Sequence, residues 1–77
     1  MNICVRNLSP ETPLSELLGC FETFGKVMDV TISTYKVDGQ YRSLGFIEMP
    51  SNDHGRLAIA SLKGKEVAGK LLDVQED

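Results

Sequence analysis

Cysteine and histidine are scarce, with only Cys4, Cys20 and His54 in the chain. The two cysteines form no C-x-x-C pair, and His54 stands at no metal-site spacing from them, so no structural or catalytic metal site is expected. They read as reduced thiols packing as small hydrophobes rather than as a disulfide. No apolar run approaches the ~20 residues that span a bilayer. Residues 1–8 lack the basic stretch and apolar core of a signal peptide. A cytoplasmic location follows as the default, with no membrane partner. The chain also lacks a nucleophile–base pair and a phosphate-cradling glycine loop, so neither an enzyme, a cofactor nor a small-molecule substrate is expected.

Positive charge is in short supply too. Eight Lys and Arg face eleven Asp and Glu, for a net charge of −3. A strongly basic nucleic-acid binder is excluded, because phosphate neutralisation supplies much of such a protein's affinity. The excess is local, however. Residues 11–25 contain Glu11, Glu16 and Glu22 and no cation, so the rest of the chain balances to zero. If that stretch is a helix behind a sheet, its acid faces away from the opposite surface.

What is present suits a small α+β domain. The chain has 77 residues, 42% apolar and 25% charged, which fits a globular protein with one core. A domain this size buries about 60–65% of its unfolded surface, so its stability is modest. Alternation at residues 2–6 predicts a strand with Ile3 and Val5 on one face and Cys4 and Arg6 on the other. Thr12-Pro13 predicts a helix start, with Thr12 as N-cap. Leu14, Leu17, Leu18, Phe21 and Phe24 form its apolar stripe, and Gly25 its left-handed end.

Residues 27–34 return to β character, with Val30 and Ile32 opposite Asp29, Thr31 and Ser33. Asp38-Gly39 is a hairpin signal, which pairs this strand with residues 43–49. Pro50-Ser51 stops that strand and opens a second helix, buried through Gly55, Ala58, Ile59 and Leu62. Close packing on the sheet is expected at Gly55. Gly64 and Gly69 punctuate a loop before a last strand at 70–76, where Leu72 and Val74 face the core. The order β-α-β-β-α-β is the ferredoxin-like arrangement, a four-stranded antiparallel sheet with two helices on one face. The other face is open.

Two stretches make the sequence recognisable. Ile3-Cys4-Val5-Arg6-Asn7-Leu8 resembles the shorter RNP motif of the RNA recognition motif family, and Arg42-Ser43-Leu44-Gly45-Phe46-Ile47-Glu48-Met49 resembles the longer one. The segment from Leu62 to Val74 resembles the family's passage from second helix to last strand. The likeness spans residues 1–77 as a single domain and is similar to the single-domain bacterial members. It implies binding of single-stranded RNA on the open sheet face, where the family stacks bases on three aromatics. The matching positions are Cys4, Leu44 and Phe46, of which only Phe46 is aromatic. Stacking contributes about 1–3 kcal/mol per base, so weak, salt-sensitive binding is expected. Arg42 holds the family's basic position and is matched to a phosphate, while the glycine usual at the next position is Ser43.

From the residues themselves, Phe46 points outward because Gly45 and Ile47 face inward. Leu44 reads either as a floor for a base or as plain cover for the sheet. Arg6 and Arg42 share the open face with Asp29, Glu48 and Asp73, and either arginine can pair with them instead of with RNA. Tyr35, Lys36, Tyr41 and Arg42 interleave aromatics with cations in a loop that can fold over a nucleic acid or simply cover the base of its hairpin. Thr31, Ser33, Asn7 and Gln75 offer hydrogen bonds to base edges or sugars, and Lys63, Lys65 and Lys70 read as a solvated basic patch. The acids at 29, 48 and 73 oppose phosphate. His54 reads as an exposed, passive residue. The competing reading is a protein-interaction module, either a homodimer or a heteromeric contact through the same face, which apolar Cys4 and Leu44 and the acidic balance would suit.

Overall fold

A computed structural model describes residues 1–77. Its elements run β1 (Asn2–Leu8), α1 (Leu14–Glu22), β2 (Asp29–Val37), β3 (Gln40–Glu48), α2 (Asn52–Leu62), β4 (Glu66–Val67), β5 (Lys70–Leu71) and β6 (Asp73–Glu76). Strands β2-β3-β1-β6 form one antiparallel sheet in that order, and β4 and β5 form a separate two-stranded ribbon. The expected four-stranded sheet with two helices is therefore present, with β4–β5 as an addition. That ribbon turns through Ala68-Gly69, both at positive φ (52° and 81°). The turn lets two residues on each side pair where a loop was expected. Strand pairing then resumes past Leu72 as β6.

One face of the sheet is covered. Ile3, Val5, Leu8, Ile47, Met49 and Val74 meet Leu17 and Phe21 of α1 and Ala58 and Leu62 of α2 in one buried cluster. Period-two alternation puts the strand residues there, save Leu8, which follows a break in the β1 register, and 3.6-residue periodicity brings the helix residues to them. Within the α1 stripe, Leu17 and Phe21 are buried and Leu18 and Phe24 half-buried, while Leu14 in the first turn is exposed. No helix is long and apolar enough to cross a membrane.

Three local expectations are corrected. Thr12 does not cap α1. The first helical hydrogen bonds close on the Pro13 carbonyl, which accepts from Glu16 and Leu17, and Pro13 itself is extended. Pro13 takes the extended cap conformation in place of Thr12 (ψ 153°), and the Thr12 hydroxyl ends up buried without a partner. Gly25 is not a left-handed helix end, since α1 stops at Glu22 and Gly25 sits beyond it at φ 156°. Its role is close approach, because a Cβ there would fall 2.6 Å from Cγ of His54. His54, although exposed, therefore packs across the α1–β2 connection. Gly55 is buried as expected, but its neighbour is the Met1 side chain. Helix α2 is capped by Ser51, whose hydroxyl accepts from the His54 N–H at 3.2 Å.

The fourth correction concerns residues 35–42, which were expected to be a loop. Instead β2 and β3 stay paired from Asp29↔Glu48 to Val37↔Gln40. Asp38 and Gly39 alone make the turn, both at positive φ (51° and 81°). That conformation matches strand twist and fixes the register, so the ladder runs to the tip. Beyond the hydrogen bond between the Thr34 and Ser43 hydroxyls (2.8 Å), every residue of this arm is exposed. It contributes to a molecule 38 Å long and 20 Å wide.

Gly45 places α1 against the sheet. A Cβ at this buried position would lie 2.7 Å from Leu17 Cδ2 and 3.4 Å from Val5 Cβ. Replacing Gly45 by alanine should therefore force the buried Leu17 side chain out of its place against the strand. The expected loss is about 1–3 kcal/mol, read as a lower urea midpoint.

Candidate nucleic-acid interface

The uncovered face is built by register. Direct partners share a face, so the pairs Thr31↔Phe46, Ser33↔Leu44 and Tyr35↔Arg42 between β2 and β3 all point to solvent. Cys4↔Phe46 and Cys4↔Gln75 extend that surface across β1 to β6. Phe46 is thus the central side chain, 37% exposed on an interior strand. Cys4, at its flank, is 7% exposed, and Leu44 is half-buried. Neither the thiol nor the leucine offers a flat ring. Gln75 donates its amide to both carboxylate oxygens of Asp73, at 3.2 and 3.1 Å, which ties two of the face's polar groups to each other.

Charge is sorted along the strands. At one end Asp29, Glu48 and Asp77 surround a shallow depression of about 110 Å³ beside Phe46, together with Asn2. At the other end lies a cleft of about 210 Å³ lined by Arg6, Asn7, Leu8, Tyr35, Arg42, Ser43, Leu44 and Lys70. No carboxylate lines this cleft. The only ion pair in the structure is Arg56–Asp53, within one turn of α2. Arg6 and Arg42 therefore do not pair with Asp29, Glu48 or Asp73, although Asp73 is the register partner of Arg6. The acids thought to oppose phosphate are mostly gathered away from the cations.

The backbone that forms the cleft was not foreseen. Pairing of β1 with β3 slips between Val5↔Gly45 and Leu8↔Ser43, so three steps on β1 oppose two on β3. This bulge falls at Arg6-Asn7, with Asn7 at φ 58°. Asparagine tolerates the left-handed region better than most residues, and a bulge re-aims the side chains around it. The Asn7 amide donates to the Leu71 carbonyl at 2.8 Å and holds β5 against the end of β1. Lys70 is thereby brought into the same cleft as Arg6. The sequence alone groups Lys70 with Lys63 and Lys65 as a basic patch, and the bulge and ribbon separate it from them.

The arm places its four marked residues on two faces. Tyr35 and Arg42 lie on the open side and line the cleft. Lys36 and Tyr41 are cross-strand partners on the other side, with the Lys36 ammonium 5.4 Å from the centre of the Tyr41 ring. The aromatics and cations singled out in this stretch thus form two groups rather than one canopy.

Comparison with known proteins agrees with this geometry. A family model described as RNA recognition motif matches residues 3–73. RbpE of Nostoc sp. PCC 7120, named for RNA binding, is 36% identical over 76 residues, covering 99% of this chain and 77% of the relative. RbpA of the same organism, named likewise, is 38% identical over 76 residues, covering 99% and 74%. The crystal structure of RNA-binding protein PG1 superposes with a TM-score of 0.87 at 34% identity, covering 100% of this chain and 93% of that one. The sheet, the outward Phe46 and the matched residues converge on one assignment: this chain belongs to the RNA recognition motif family.

Proposed function

We propose that the protein is a non-enzymatic module that binds single-stranded RNA across the open sheet face. The observation that carries this reading is the uncovered Phe46 ring, continuous through Leu44 with a cleft of unpaired cations. A base stacks on Phe46, flanked by Thr31 and Cys4. Its neighbour rests on Leu44 toward Tyr35, and the backbone between them is drawn to Arg42 and Arg6. Lys36 and Tyr41 are reached only by a strand long enough to pass round the arm. Gln75, already bonded to Asp73, reads a base edge only by exchanging that partner. The RNA-binding names of RbpE and RbpA support the ligand class.

The protein-docking reading draws less support. It needs an apolar surface at Cys4 and Leu44, but Cys4 is buried and Leu44 half-buried, which leaves only a small apolar patch around Phe46. Along its strand Phe46 is flanked by Glu48 on one side, and on the other Arg42 follows directly after Leu44 on the same face.

Affinity on this proposal is weak and depends on salt. Two or three phosphate contacts give a slope of about −1.4 to −2.1 in log K against log salt for a single strand. Raising salt from 50 to 200 mM should then weaken binding about 7- to 18-fold. The test is an amide NMR titration with a short randomised RNA pool at both salt concentrations. Shifts at Cys4, Arg42, Leu44 and Phe46 that shrink with salt are expected. Unmoved resonances on these strands at low salt and saturating RNA would reject the proposal, and concentration-dependent shifts without RNA would favour self-association.

A further inference from the structure

The cleft at the basic end holds more positive charge than one internal phosphate needs. Arg6, Arg42 and Lys70 come from three different strands and line the same 210 Å³ space. No acid lines it, in a protein whose net charge is −3. The nearest candidate on register, Asp73, accepts from Gln75 and makes no ion pair with Arg6. Gathering like charges without a counter-charge is unfavourable for the free protein. It is held by covalent and hydrogen-bonded architecture, namely the Asn7 bulge and the 2.8 Å bond from its amide to Leu71.

An internal phosphodiester carries a single negative charge, which Arg42 alone matches. A terminal phosphate monoester carries about −1.5 to −2 at pH 7 and three acceptor oxygens. Three converging cations fit such a group, and guanidinium pairs suit its geometry through bidentate hydrogen bonds. Size agrees. The cleft, about 210 Å³ and open to solvent, has room for a phosphate with part of its sugar. It is too small for a whole drug-sized ligand, whose sites begin near about 300 Å³. Tyr35 and Leu44 line the same space and supply an apolar contact for the terminal nucleoside. At the far end, Asp29, Glu48 and Asp77 repel phosphate, so only one end of the face can take it.

We infer that this cleft is a site for a terminal phosphate monoester, so that the protein prefers RNA strands with one phosphorylated end. The inference rests on the sheet-face RNA reading, and it names Lys70 and Asn7 as parts of the site in addition to Arg6 and Arg42. Arg6 and Arg42 make the bidentate contacts. Lys70 adds a third charge from β5. Asn7 acts through the backbone, by positioning β5.

One RNA pentamer made in three forms tests this: with hydroxyl ends, with a 5′-phosphate and with a 3′-phosphate. Calorimetric titration at 50 mM salt should show one phosphorylated form binding at least fivefold tighter than the hydroxyl form, with the other gaining less than twofold. That advantage should vanish in Arg6→Gln/Lys70→Gln, whose side chains lie outside the core and whose amide spectrum should stay native. Phe46→Ala should weaken all three forms while keeping the advantage. Equal gain at both ends would mean charge attraction without a site and would overturn the inference, as would an advantage that survives the double variant. If the hydroxyl pentamer fails to bind at all, the sheet-face reading fails separately. Adenosine 5′- and 3′-monophosphates then decide the cleft alone: amide shifts at Arg6, Arg42 and Lys70 support it, and unmoved resonances overturn it.

Discussion

Phe46→Ala should weaken RNA binding about 5- to 150-fold while leaving the protein folded. The range follows from about 1–3 kcal/mol of stacking per base, at 1.4 kcal/mol per tenfold. A protein with three rings on its sheet loses one platform of three on such a change, whereas this one loses its central and only RNP ring. Its cross-strand neighbours, Thr31 and Cys4, are small and present no flat surface. Tyr35 lies four register pairs away, two along the same face, at the cleft, and cannot take the same base. The fold tolerates the loss because the ring lies on the face away from the core and is already 37% exposed. The scale of strand preference puts the stability cost near or below about 1 kcal/mol.

Two further substitutions separate stacking from mere apolar contact. Phe46→Tyr keeps the ring and should bind within a fewfold of the parent. Phe46→Leu keeps apolar bulk without the π face and should lose most of what alanine loses. Equal affinity for the leucine and phenylalanine proteins in a fluorescence-anisotropy titration would overturn the stacking mechanism. It would shift the interface to the cleft and the arm. An unchanged affinity in Phe46→Ala would do the same for the whole central face.

The fold was legible wherever one periodicity dominated. Alternation around Ile3, Val5, Ile47 and Val74 and the helical spacing of Leu17 and Phe21 each had one consistent solution, and those residues form the core. The Asp38-Gly39 turn was legible because two adjacent residues tolerant of positive φ specify a tight hairpin. What the turn implies for length was missed. The polar, exposed residues 35–42 carry no burial signal, although an unbroken ladder satisfies their backbone groups as well as a loop would. The difference matters for the site, because a loop would let Tyr35, Arg42, Lys36 and Tyr41 act together, whereas the pleat places the first two and the last two on opposite faces.

The cleft illustrates a different limit. Arg6 and Arg42 were visible through their motif positions, but Lys70 was not distinguishable from Lys63 and Lys65. Its placement depends on a one-residue slip between β1 and β3 and a long-range bond from Asn7 to Leu71, 64 residues apart. Only the identity of Asn7, a residue that accepts left-handed geometry, hinted at the bulge. Thr12 shows local propensity giving way to context. Thr-Pro is a good helix opening, yet the proline's extended conformation delays the helix by one residue. The hydroxyl is then left facing the interior without a partner.

Phe21→Ala should be the most destabilising single truncation on α1, by about 3–5 kcal/mol. The ring is fully buried and belongs to the cluster shared by both helices and the inner sheet face. Removing it leaves a cavity between layers that rigid strands cannot close. A 77-residue domain has a total stability of roughly 4–12 kcal/mol at 0.05–0.15 kcal/mol per residue, so much of it would be spent on one side chain. At 4–8 °C per kcal/mol, the melting temperature should fall by about 12–40 °C, readable by circular dichroism. Leu14→Ala is the control from the same sequence stripe. Leu14 is exposed, and its loss should stay within about 0.5 kcal/mol. Comparable destabilisation by the two would contradict the placement of α1 on the sheet. Together with Phe46→Ala the pair also separates two ways of losing RNA: Phe21→Ala through lost stability, with the melting temperature lowered, and Phe46→Ala with stability nearly retained.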